Sequence, residues 1–112
     1  MLIFKLHPLD RRHSGNHLFG YRIERLHQRN PIDGRASTRL FCEARAYLWA
    51  AFGASADLDE MFSVYGGGET PVWCWRTNNL SGKHLYLKTG KEVSVFLLKY
   101  ADITQVDPKI KF

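Results

Sequence analysis

Residues 71–100 read PVWCWRTNNLSGKHLYLKTGKEVSVFLLKY. Three runs within it, VWCWRT, KHLYLKT and EVSVFLLKY, are rich in β-branched and aromatic residues. Such residues pack well on a pleated, half-buried surface. NNLSG and TGK between the runs fit hairpin turns. The expectation is a three-stranded antiparallel meander.

The first run raises a question of facing. In a strand, Trp73 and Trp75 point one way while Val72, Cys74 and Arg76 point the other. One registration puts both indoles under a helix and leaves Arg76 on the open face, near Tyr86 and Lys88. The opposite one exposes both indoles, which could then stack nucleic-acid bases together with Tyr86. The first is favoured, because a guanidinium under a packed helix is costly.

Upstream, RASTRLFCEARAYLWAAFG spaces Leu40, Phe41, Ala44, Tyr47, Leu48, Ala51 and Phe52 three and four residues apart. That period predicts an amphipathic helix. Asp33, Ser37 or Thr38 can cap its start, and Gly53 can end it in the left-handed conformation. SADLDEMFSVY predicts a short second helix capped by Ser55, and Gly66–Gly68 form a connector. Near the start, MLIFKLH and LFGYRIERLHQ alternate as strands around a polar loop, PLDRRHSGNH. NPIDG stops the second strand as a turn, and DITQVDPKIKF is an extended end. The order is ββααβββ. The expected fold is a single α+β domain over residues 1–112: an antiparallel sheet of about five strands, with the long and the short helix on one face.

Charge is segregated along the chain. Residues 1–45 hold nine Lys/Arg and four Asp/Glu, and eight of those nine cations are Arg. Residues 46–75 hold four acids and no Lys or Arg, and residues 76–112 hold seven cations and three acids. Arg forks match carboxylates and phosphates bidentately, so this bias points to an anionic partner. The expected contacts are Arg22, Arg25, Arg29 and Arg35, then Arg11, Arg12 and Arg76.

Other chemistry is sparse. His7, His13 and His17 lie near Asp10, but Pro8 and Gly15 oppose a helix there and no HExxH occurs. YGGGETP lacks the Lys-Ser/Thr of a phosphate-binding P-loop, and no GxSxG or Cys-His signature occurs. No metal, cofactor or catalytic residue is expected. Cys42 and Cys74 are read as free core thiols. No run approaches the roughly 20 apolar residues of a membrane span. The start has no signal-peptide pattern, so a cytoplasmic location is expected.

EARAYLWAAFGASADL, followed by VWCWRTN, KHLYLK and VSVFLLKY, resembles small bacteriophage accessory proteins. The resemblance spans roughly residues 18–100. It implies a non-catalytic protein made in the infected bacterium that inhibits a host protein or nucleoprotein complex, such as a defence machine. The helix-then-meander outline is also similar to RelE-like ribosome-dependent RNA nucleases. That likeness implies cleavage by groups on the sheet, with His84, Tyr86, Arg76 and Lys88 in position for it. It departs in having two strands before the helix.

Overall fold

The structure is a computed structural model that describes residues 2–9, 19–26, 31–58, 60, 71–78 and 82–110. Strands β1 (Phe4–Pro8) and β2 (Tyr21–Arg25) precede helix α1 (Pro31–Phe52). Strands β3 (Trp73–Asn78) and β4 (Gly82–Leu87) follow, then helix α2 (Gly90–Tyr100), a 3-10 turn (Ala101–Ile103) and β5 (Thr104–Val106). The class is α+β, and the five strands lie in the order β3-β4-β2-β1-β5.

The order of elements departs from the expected one. EVSVFLLKY is a helix, not a third strand of a meander. Val93, Phe96 and Tyr100 fall at helical spacing and are buried, while Leu98 between them is 83% exposed. The Thr89 side chain caps the helix by accepting from the Lys91 amide, and its hydroxyl bonds the Glu92 carboxylate. That Thr-x-x-Glu pairing makes local bonds at a helix start that a strand would not offer. Lys99 lies in the last turn, at the negative end of the helix dipole.

With a helix in this place, the fifth strand comes from the tail. Thr104–Val106 pairs with β1, and the pair is parallel, so the sheet is mixed. β4 and β5 also run in the same direction, and α2 supplies the crossover that such a parallel return needs. Two crossovers, β2-α1-β3 and β4-α2-β5, each return to a strand that is not the neighbour of the one they left. This is split-βαβ connectivity, with β1 inserted between β2 and β5.

Helix α1 also starts earlier than expected. NPIDG reads as a turn, but Pro31 is the first helical residue. Proline suits that position, since the first amides of a helix have no intrahelical partner. Gly53 ends the helix as expected, with φ +92° and its amide bonded to the Trp49 carbonyl. The predicted helix over SADLDEMFSVY and the Gly66–Gly68 connector lie largely outside the described residues.

Both helices cover one sheet face. Phe41, Ala44 and Leu48 of α1 and Val93, Phe96 and Tyr100 of α2 pack on Phe4, Leu6, Ile23, Trp73, Leu85 and Leu87. Trp73 is fully buried, and its indole N–H donates to the Gly53 carbonyl at 3.0 Å. Trp75 shares that side and is half-buried. The favoured facing of the tryptophans is therefore the observed one. The edge strand β3 is covered by residues 55–57. The Trp75 amide donates to the Ala56 carbonyl, the Ser55 hydroxyl to the Trp73 carbonyl, and the Thr77 amide to the Asp57 carboxylate. Satisfying these groups blunts an edge open to pairing with another chain.

Candidate functional site

The face of the sheet turned away from the helices is polar. Cross-strand register arranges it in two rungs over β1, β2, β4 and β3. One rung is Lys5, Glu24, His84 and Arg76; the other is His7, Arg22, Tyr86 and Cys74. Each follows from the two-residue period of its strand: the alternate positions Phe4, Leu6, Ile23, Leu85 and Trp73 face the helices.

Arg22 and Arg76 lie diagonally across β4 and are half-buried. Between them stand His84 and Tyr86, with ring centroids 6.3 Å apart. Part of this face is closed by a small second core, in which Phe19, Leu58, Cys74 and Tyr86 pack with Leu9. Phe19 sits 6.0 Å from the Tyr86 ring.

Burial and the two guanidiniums set the protonation of this cluster. His84 is 7% exposed. Burial lowers its pKa to about 4, and the charges of Arg22 and Arg76 push the same way against the opposing pull of Glu24. The imidazole is neutral at pH 7, and its Nδ1 is buried without a hydrogen-bond partner. Tyr86 is raised by burial, with Arg22 and Arg76 opposing. Burial, then the Asp57 charge, raises the Cys74 thiol, so it is no thiolate nucleophile. The one carboxylate on the rungs, Glu24, is engaged at 3.0 Å by His7 Nε2.

The expected contact residues separate in space. Arg22 and Arg76 share the polar face, together with Tyr86 and His84. Arg25 is on the helix side, where it donates to the Thr38 hydroxyl at 2.7 Å and to Ser37 at 3.3 Å. It ties the first turns of α1 to β2. Arg35 is exposed on α1, and Lys88 is exposed just past β4. Arg11, Arg12 and Arg29 lie outside the described residues, as do His13, His17 and Asp10. Trp73 has no exposed ring face, and Arg45 lies over the Trp75 ring at 4.2 Å. The exposed indole is Trp49, at 48%.

Sequence reasoning weighed His7 only with the loop histidines, and it missed Glu24 and Trp49. The places of His7 and Glu24 on the polar face were legible as the alternate positions of their strands. Trp49 was legible as a residue off the apolar stripe of α1. Among the described residues no helix is long and apolar enough to cross a membrane, and no three His, Cys, Asp or Glu gather as a metal site. Comparison with known proteins finds no matching family, curated protein or solved structure.

Proposed function

We propose that this chain is a non-catalytic binding protein that holds an anionic surface of a macromolecular partner against the polar sheet face. The observation that supports this reading is the diagonal pair Arg22 and Arg76, held on strands of one polar sheet face. Guanidiniums held by strands lose less freedom on binding than loop side chains do. The resemblance to bacteriophage accessory proteins directs the partner to a host protein or nucleoprotein complex of the bacterial cytoplasm, which the chain would inhibit. Affinity purification from bacterial lysate with wild type and an Arg22→Glu/Arg76→Glu variant tests it. A discrete partner is retained by the first and lost by the second; retention by both refutes the reading.

A second reading, RNA cleavage, is motivated by one arrangement: His84 and Tyr86, with ring centroids 6.3 Å apart, standing between two guanidiniums on the sheet. A neutral imidazole can accept a proton, and guanidiniums can stabilise charge on a phosphorane. This reading predicts growth arrest on expression, relieved by His84→Gln. Full toxicity of that variant removes it. Stacking of single-stranded nucleic acid on Trp73 has no accessible ring to work with.

A further inference from the structure

The outer face of α1 departs from what an outer helix face normally presents. At 100° per residue, Arg35, Arg39, Cys42, Ala46, Trp49 and Ala50 form one stripe, opposite the buried Phe41, Ala44 and Leu48. All six are exposed. A solvent-facing stripe is ordinarily polar throughout. This one is cationic in its first half and apolar in its second. In the apolar half lies a depression of about 370 Å³, lined by Cys42, Arg45, Ala46, Trp49 and Ala50.

The wall of this depression is preorganised. The Trp49 ring packs edge-to-face on Trp73 at 6.4 Å and lies 6.3 Å from Trp75. Arg45 is fixed over the Trp75 ring. A half-exposed indole held in this way presents rigid apolar area at little entropic cost, as binding hot spots do.

We infer that the outer face of α1 is a docking groove for an acidic segment of a partner protein, with one apolar side chain seated beside Trp49 and carboxylates paired with Arg39 and Arg35. Charge complementarity selects this occupant. The stripe carries Arg35 and Arg39 and no acid, and the nearby Glu43 is paired with Lys99 at 3.0 Å. A second copy fits poorly in either orientation. Packed parallel on the same face, it sets Arg35 and Arg39 against like charge; packed antiparallel, it sets them against the apolar half. A nucleobase fits poorly too, because the floor is a concavity of Cys and Ala side chains beside one ring, not a flat platform of spaced rings. The groove faces away from the polar sheet face, so the two surfaces can be tested apart.

The test is fluorescence anisotropy of a labelled oligo-aspartate peptide carrying a single central Phe, titrated with the full chain. Binding is expected to weaken about tenfold or more when the peptide Phe becomes Ser, or when the chain carries Arg35→Glu/Arg39→Glu. Trp49→Ala is expected to do the same. Because Trp49 also touches Trp73, Ala46→Glu serves as a second variant at an exposed position that leaves the core intact. Arg22→Glu/Arg76→Glu is expected to keep the peptide. Three results would overturn the inference. They are failure to bind the Phe peptide, tighter Trp49-dependent binding of a single-stranded oligonucleotide, and concentration-dependent self-association abolished by Ala46→Glu.

Discussion

His84 shows how a single residue on this sheet joins stability to chemistry. Its folded pKa of about 4 lies below the ordinary histidine value. Between those values the unfolded chain binds a proton that the folded chain refuses, so stability falls as pH drops from about 6.5 to about 4. Urea midpoints across this range should fall toward acid in wild type and fall less in His84→Gln. Equal slopes would mean that the imidazole titrates normally. Arg25 makes a different kind of contribution. Its bonds to Thr38 and Ser37 hold the start of α1 on β2. Arg25→Ala should cost about 1–3 kcal/mol in chemical denaturation, with the charge-assisted bonds lost and the Thr38 and buried Ser37 hydroxyls left short of a donor. The arginine bias was plain in the sequence, but this split between structural and surface arginines was not. Arg22 and Arg25 are three residues apart and point to opposite faces, which only strand register reveals.

At the scale of elements, α2 is where sequence and structure part. EVSVFLLKY alternates Val93 and Val95 and is rich in β-favouring residues, so it reads as a strand. The competing signal was present too: Val93, Phe96, Leu97 and Tyr100 keep helical spacing, and Thr89 with Glu92 forms a capping pair. Tertiary packing decides, because the helix buries Val93, Phe96 and Tyr100 together on Phe4. Removal of the cap in Thr89→Ala should cost about 1 kcal/mol. Phe96→Ala should cost about 3 kcal/mol or more, while Leu98→Glu should be close to neutral. A strand would place Phe96 and Leu98 on the same face and make both changes costly. Thermal or urea unfolding of the three variants separates the two arrangements. The long helix α1, by contrast, was legible nearly in full, because its apolar stripe is long and its Gly53 stop is unambiguous.

At the scale of the whole molecule, the sheet divides the chain's chemistry. The main apolar core and helices α1 and α2 occupy one face, and the two polar rungs, partly closed by the small second core, occupy the other. The α+β class and the helix-covered face followed from sequence periodicity. The strand order did not, since it depends on where the crossovers land and on β5 joining β1 in parallel. The candidate site was half legible for the same reason. Arg22, Arg76, Tyr86 and His84 can each be assigned to a strand, but their gathering needs β4 to lie between β2 and β3. The role proposed for this gathered pair is to bind an anionic partner. The affinity of the purified chain for its captured partner, measured at rising salt, is the test of that role. Arg22→Glu/Arg76→Glu is compared with the charge-matched control Lys91→Glu/Lys109→Glu, whose lysines are exposed elsewhere. The sheet-face variant is expected to lose about tenfold or more in affinity and to flatten the salt dependence, while the control stays near wild type. Equal losses in both variants would contradict it, because binding would then follow net charge and not the sheet face.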